Sequence, residues 1–198
     1  EDAVIRFGYF HDKEDELADF LIHAFVLLSE LPSEKSLPAM LTVLEYDKNF
    51  FDFWFGDHIT ETLWHCLYKL GQNQTGLLMV FLLKPGINAY AKSAVTDALS
   101  QIAVHQPERH AEIEYIFAEV FNRFLNAIPD ENLVDSGFLD MAVGCSIDVG
   151  FINLLPVIKE LYDREIVDFD INGDYNEVVE HFEEQLDDKW KKEIFDIY

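Results

Sequence analysis

The sequence is poor in basic residues, and this shortage excludes a large class of partners. Lysine and arginine together number 14 against 38 aspartates and glutamates, which gives a formal charge of −24. Binding to nucleic acid depends on Lys and Arg that neutralise phosphates, so this charge repels nucleic acids and anionic membranes. We therefore expect neither as a partner. Solubility is the simplest consequence of the charge, and a basic partner or a cation is the alternative.

Cysteine and long apolar runs are also scarce. Cys66 and Cys145 are too few to form a disulfide framework, and both lie in apolar helical stretches where a thiol acts as a small hydrophobic group. They predict a reducing compartment, and hence a cytoplasmic location. The sequence has no run of 18 apolar residues, so it predicts no membrane span. Because the sequence starts at Glu1, a removed leader or a trimmed start stays open.

Apolar residues recur at helical spacing over nearly the whole chain. In the segment 36–44, for example, Leu37, Met40, Leu41 and Leu44 follow the i, i+3, i+4, i+7 pattern of one helix face. The only extended-looking stretch, 165–171, is too short to pair stably alone. Hydrophobic residues make up 49% of the chain, which is enough for a continuous core. The pattern predicts an all-α protein.

The helices fall into pairs that recur along the chain. The stretch "LPAMLTVLEYD" at 37–47 resembles "LPVIKELYD" at 155–163, and 118 residues separate their first leucines, or about three periods of 39. This period is close to that of HEAT and armadillo repeats, whose helix pairs stack into a superhelix. We predict one α-solenoid domain over 1–198, with about four helix pairs. Its parts are a leading helix at 12–31, repeats at 36–71, 72–108, 109–150 and 151–186, and a short helix in a C-terminal cap at 187–198.

Short landmarks along the chain resemble an uncharacterised bacterial family of domain-of-unknown-function proteins. They are "FWFGD" (53–57), Trp64, "LG" (70–71), "PER" (107–109), "LLPVIKELYDREIVD" (154–168) and "NGDY" (172–175). The resemblance implies a mostly helical, HEAT-like fold without an assigned activity. Some longer members end in a SEC-C zinc motif, and this sequence lacks that Cys/His-rich tail, so the resemblance does not imply zinc here.

The string "DFDINGDYNEVVE" at 168–180 begins like a calcium-binding loop. An EF-hand loop has oxygen ligands at positions 1, 3, 5 and 7, Gly at position 6, and a bidentate Glu at position 12. With Asp168 as position 1, the residues at positions 1, 3, 5, 6 and 7 are Asp168, Asp170, Asn172, Gly173 and Asp174. Position 12, however, is Val179, which has no oxygen in its side chain. The match is therefore incomplete.

The hydrophobic residues of the same string also argue against calcium. Phe169 and Ile171 alternate with the acidic residues, as in a segment that lies against a core. We favour an Asn-Gly turn followed by Asp174 as the N-cap of a helix at 175–186. The alternative is a domain that calcium stabilises through the loop 168–174. We expect no other cofactor.

The segment "NFFDFWFGD" at 49–57 concentrates five aromatic side chains in a predicted loop or turn between two helices. They are Phe50, Phe51, Phe53, Trp54 and Phe55. Exposed aromatic side chains dominate the binding energy of many interfaces, so an exposed cluster would bind a protein or peptide partner. The alternative is that these rings fill the first groove of the solenoid.

Enzymatic signals are weak. Glu61 and His65 lie four residues apart on one predicted helix, and His105 and His110 flank a helix start. No GxSxG, GxGxxG, HExxH or P-loop string accompanies them. The sequence therefore predicts a non-catalytic scaffold that binds an unknown protein or peptide. The alternative is an enzyme or cofactor-handling protein, in which these pairs would line a pocket inside the superhelix.

Overall fold

The computed structural model describes residues 20–127, 132–184 and 190–194, with only the backbone described at Lys48 and Asp52. These residues contain helices and no strand, so the prediction of an all-α fold is confirmed. The helices are α1 (Phe20–Glu30), α2 (Ser36–Val43), α3 (Lys48–Trp54), α4 (His58–Glu61), α5 (Leu63–Gly71), α6 (Thr75–Leu82), α7 (Ala89–His105), α8 (His110–Leu125), α9 (Ser136–Val149), α10 (Leu155–Asp163) and α11 (Tyr175–Glu183). None of them is long and apolar enough to cross a membrane.

Polar side chains fix the starts of several helices. Each accepts a hydrogen bond from a backbone N–H group two or three residues further on, which pairs a donor that the helix itself leaves unpaired. These N-caps are Asp47 of α3, Asn88 of α7, Asp135 of α9 and Asp174 of α11. At the other end of α9, Gly150 takes the left-handed conformation with φ 76° and ends the helix.

Alternate helices stack into two rows, as in an α–α superhelix. In the first row α7 lies between α5 and α9, with α1 packed on α5 and α11 packed on α9. In the second row α8 lies between α6 and α10, and it also contacts α7. Fully buried phenylalanines fill the space within and between the rows: Phe81, Phe117, Phe121, Phe124, Phe138 and Phe151. Each of these helices therefore buries its apolar face mainly against its neighbours in the two rows.

Polar contacts between neighbouring helices repeatedly join residues that are 39 positions apart. The Lys69 ammonium lies 2.6 Å from the Glu30 carboxylate, and the Arg164 guanidinium donates to the carbonyl oxygen of Leu125 at 2.8 Å. The same interval separates Lys84 from Glu45, Asn153 from Glu114 and His110 from Val149. It equals the period inferred above from the echo between 37–47 and 155–163, as stacked helix pairs of constant length would produce.

The structure agrees with the predicted leading helix but not with the predicted C-terminal helix. Residues 20–30 of the predicted leading helix form α1, while residues 12–19 lie outside the described residues. In the predicted C-terminal helix, residues 191–194 have no regular secondary structure, so the prediction is wrong there. The remaining parts of that cap, 185–189 and 195–198, lie outside the described residues. The carbonyl oxygen of Trp190 and the N–H of Lys192 pair with a side chain of α7.

Candidate functional site

The aromatic segment at 49–57 is helical over most of its length and turns most of its rings inward. Phe51, Trp54 and Phe55 stand at i, i+3 and i+4 around α3, and all three are buried. The ring of Phe55 lies 5.3 Å from that of Phe25 in α1. Phe50 is half-buried and Phe53 is 38% exposed. The predicted loop or turn is wrong here, because residues 48–54 form a helix. Of the two alternatives for the rings, Phe51, Trp54 and Phe55 follow the one in which they fill the core.

The loop 168–174 is organised around a carboxylate from another helix. Asp140 of α9 is fully buried, with 0% exposure, and it accepts hydrogen bonds from the backbone N–H groups of Ile171 at 2.9 Å and Asn172 at 3.3 Å. The side-chain amide of Asn172 donates to the same carboxylate at 2.6 Å and to the carbonyl oxygen of Asp140. We call this set of contacts the Asp140 anchor. It directs Asn172 into the protein and away from any ion in the loop.

The remaining residues of the calcium pattern are divided between different environments. Asp174 accepts from the N–H groups of Asn176 and Glu177, and Glu177 accepts from the N–H of Asp174 at 2.7 Å, so the predicted N-cap is a complete capping box. Asp168 is half-buried and Asp170 is exposed. Within the described part of the chain, no three His, Cys, Asp or Glu side chains are grouped so that they could hold a metal ion.

Neither the Glu61–His65 pair nor the His105–His110 pair lines the cavity that the described residues form. Glu61 is exposed, whereas His65 is buried with its ring against Trp64. His110 lies against Phe151, with its Nε2 3.3 Å from the carbonyl oxygen of Val149. A cavity of about 390 Å³ opens at the starts of α3, α7 and α9, and neither these histidines nor Glu61 line it.

Residues 190–194, for which the sequence predicts a helix, lie on the helices in the way that a bound peptide would. This segment contacts α5 and α7, and both the nitrogen and the oxygen of the Gln101 side-chain amide form hydrogen bonds with its backbone. Its Nε2 donates to the carbonyl oxygen of Trp190 at 3.0 Å, and its Oε1 accepts from the N–H of Lys192 at 2.9 Å. Gln101 is only 3% exposed in this arrangement. A side-chain amide thus takes the place that a neighbouring strand would take in a sheet.

A third backbone contact comes from one turn further along α7. The Nε2 of His105 lies 3.0 Å from the carbonyl oxygen of Lys192, and its ring lies against that of Tyr68 in α5 at 5.6 Å. Burial lowers the pKa of His105 below its usual 6.5, the hydrogen bond to Lys192 acts in the opposite direction, and nearby Lys191 lowers the pKa further. The neutral imidazole is therefore favoured, and it can donate Nε2–H to the carbonyl.

The side chain of Lys192 is bound by one charge and one ring. Its ammonium lies 2.7 Å from Oδ2 of Asp97 and 5.1 Å from the centre of the Trp64 ring, which is within the range of a cation–π contact. Asp97 and Lys192 both keep some exposure, at 26% and 37% of their side chains. We call the surface made by Trp64, Asp97, Gln101 and His105 the α5–α7 surface.

The bound segment has the alternation of an extended chain. Lys191 and Glu193 are exposed, whereas Lys192 and Ile194 are partly buried, and Ile194 packs against the hydrophobic core. Side chains that alternate between two faces with a period of two are typical of extended backbone. Every second side chain of the segment therefore faces the helices.

One signal in the sequence could have located this surface. Asp97, Gln101 and His105 follow each other at intervals of four on α7, whose other faces are rich in buried apolar residues. Four-residue spacing aligns side chains along one helix face. A polar row on a mostly buried helix predicts that something polar covers it, although the sequence does not show what.

Fold and site together define the class: an all-α superhelix that holds a short segment outside its α-helices across two of them. The chain belongs to the family described as protein of unknown function (DUF1186), whose model matches residues 11–195. This confirms the resemblance to a domain-of-unknown-function family. No curated protein and no solved structure matches the chain. Its function must therefore be argued from the site itself.

Proposed function

We propose that this protein is a non-catalytic, HEAT-like helical scaffold whose α5–α7 surface binds an extended peptide segment of a partner protein. One observation carries the proposal: the Gln101 amide makes a donor and an acceptor contact with the backbone of residues 190–192. Such a pair of bonds recognises extended backbone whatever its side chains are. Main-chain pairing of this kind supplies affinity in many peptide-binding proteins, and side-chain contacts beside it supply specificity.

The architecture and the charge support this role. A superhelix of stacked helix pairs presents a long surface on which an extended chain can lie. With a formal charge of −24, the protein attracts basic partners and repels nucleic acid. The partner we propose is therefore a protein or peptide with a basic segment.

The two cysteines favour a scaffold over a thiol-dependent enzyme. Burial raises the pKa of the Cys66 thiol to about 11 and that of the Cys145 thiol to about 12. A thiol that is protonated at neutral pH is a poor nucleophile and a poor metal ligand. Both cysteines are buried and neither forms a disulfide, in keeping with a protein of the reducing cytoplasm.

The test uses the full chain and a fluorescein-labelled peptide with the sequence of residues 188–197, "DKWKKEIFDI". Fluorescence anisotropy measures binding of the peptide to the wild type and to Lys192→Glu. Because Lys192→Glu sets two negative charges against each other at Asp97, it weakens the hold on the protein's own segment. We expect it to bind the peptide about tenfold more tightly than the wild type, in which the segment competes.

Two further variants control the experiment. Lys191→Glu makes the same change of charge at an exposed side chain, and we expect peptide affinity within about twofold of the wild type. Adding Gln101→Leu to Lys192→Glu should remove detectable binding, since the amide that pairs with the backbone is lost. If the Lys192→Glu protein has the circular dichroism of the wild type and binds no peptide, the proposal is wrong.

A further inference from the structure

Resting on the peptide-binding role proposed above, a more specific inference concerns the partner's sequence. We infer that the α5–α7 surface selects an extended segment that carries lysine two residues before an isoleucine-like aliphatic residue. Residues 190–194 act as an internal mimic of that segment and occupy the surface when the partner is absent. The partner is thus a protein with an exposed Lys-x-Ile type segment.

Two groups bind the lysine of the segment, one a carboxylate and the other an aromatic ring. Asp97 supplies a carboxylate oxygen 2.7 Å from the Lys192 ammonium, and Trp64 supplies a ring face 5.1 Å from it. The other oxygen of Asp97 lies 4.0 Å from Sγ of the buried Cys145. Trp64 is itself fixed, because its Nε1 donates to the carbonyl oxygen of Glu61 at 3.0 Å. A cation between two fixed groups is a specific requirement, because a neutral or acidic side chain satisfies neither of them.

The aliphatic position follows from the alternation of the segment. Ile194 is the next side chain after Lys192 on the same face, and it packs on the hydrophobic core. The side chains between and beside them, Lys191 and Glu193, are exposed. The surface therefore reads two positions that are two residues apart and leaves the position between them open.

Charge decides the kind of partner. A chain with 38 acidic and 14 basic residues gathers basic segments by long-range attraction. Within residues 187–198, "KWKKEI" is the basic part of an otherwise acidic tail. The same chemistry that retains this segment would retain a basic segment of another protein, and the two would compete for one surface.

The test measures the anisotropy of a peptide panel with the full-length Lys192→Glu protein. The parent peptide is "DKWKKEIFDI", and three variants carry one change each: Gln in place of the lysine at 192, Asn in place of the isoleucine at 194, and Gln in place of the lysine at 191. We expect about a tenfold loss of affinity for the first two and less than about a twofold loss for the third.

A coupling measurement links the selectivity to Asp97. In the Lys192→Glu protein, the parent peptide should bind about tenfold more tightly than the peptide that carries the Lys192→Gln change, and adding Asp97→Asn should reduce this preference to about twofold. A variant that damaged the protein in general would weaken both peptides equally and leave the preference unchanged. Loss of the preference therefore identifies Asp97 as the residue that reads the lysine.

The outcomes separate this inference from the proposed function. If the Lys192→Glu protein binds all peptides of the panel with affinities that differ by less than about twofold, the surface binds peptides but the inferred selectivity is wrong. If it binds none of them, the peptide-binding role itself fails. Light scattering on the wild type tests a second copy as the occupant: a concentration-dependent dimer that Lys192→Glu dissociates would show exchange of residues 190–194 between copies and overturn the inference of a separate partner.

Discussion

Two segments outside the α-helices, 168–174 and 190–194, are held in similar ways but by groups of different charge. In each, one side chain of a first-row helix pairs with the backbone of the segment. Asp140, which holds the first segment, is a fully buried carboxylate, whereas Gln101, which holds the second, is a neutral amide. A buried charge without partners is very costly, while an amide exchanges one polar partner for another more easily. We therefore infer that the first segment is part of the fold, whereas the second is the one that a ligand would replace under the function proposed above.

The largest effect should come from removing the Asp140 anchor. Asp140→Ala leaves two backbone N–H groups and the Asn172 amide without their acceptor in a buried site. We expect the free energy of unfolding to fall by about 3 kcal/mol, measured by urea denaturation. The control, Asp170→Ala, removes an exposed carboxylate of the same loop and should change it by less than about 0.5 kcal/mol. Equal effects of the two variants would show that the loop does not depend on Asp140.

A smaller effect is expected at the turn that follows. Gly173 has φ +70°, and a Cβ there would clash with Oε2 of Glu177, which belongs to the capping box of α11. Gly173→Ala should cost about 1–2 kcal/mol, because an L-residue is strained in this conformation and the cap is disturbed. Gly76→Ala is the matched control: a Cβ at Gly76 in α6 meets nothing within 4 Å, and alanine favours the helix. Thermal unfolding should therefore show destabilisation for the first variant only.

Local patterns predict most of the helices and the start of α11, but they miss α3 and fail inside the loop before α11. Phe169 and Ile171 were expected to face the core, yet they are 57% and 60% exposed. The reason is Asp140, about 30 residues earlier, which binds the N–H groups of Ile171 and Asn172 and so turns Asn172 inward. Alternation in a sequence shows that two faces differ. It does not show which face a distant anchor selects.

The candidate site was harder to predict for a related reason. The four-residue spacing of Asp97, Gln101 and His105 is visible in the sequence, but the segment that they bind follows 87 to 95 residues later. Trp190 and Ile194 are also four residues apart, a spacing that would place them on one face of a helix. The structure shows Lys192 and Ile194 on one face instead, because Gln101 supplies the backbone hydrogen bonds that a helix would otherwise supply.

Breaking the contact made by Gln101 should affect the segment much more than the fold. Gln101→Leu is expected to change the free energy of unfolding by less than about 1 kcal/mol, because the segment can detach while the helices stay packed. The backbone N–H of Lys192 donates a hydrogen bond to Oε1 of Gln101, and in this variant it should lose its protection against hydrogen exchange. Gln101→Glu keeps the acceptor and should retain part of that protection. If Gln101→Leu destabilises the whole protein as much as Asp140→Ala does, the two segments are equivalent and the distinction drawn here is wrong.

The smallest effect is expected from calcium. A loop that binds calcium turns oxygen atoms toward the ion, whereas the loop 168–174 directs two backbone N–H groups and the Asn172 amide toward Asp140. The side chain of Asp174 already caps α11. We therefore expect millimolar calcium to change the melting temperature by less than about 1 °C in calorimetry, since an ion that binds the native state must raise it. A larger increase that Asp170→Asn removes would show that the loop binds the ion after all, and that a cation adds to the stability that the buried carboxylate provides.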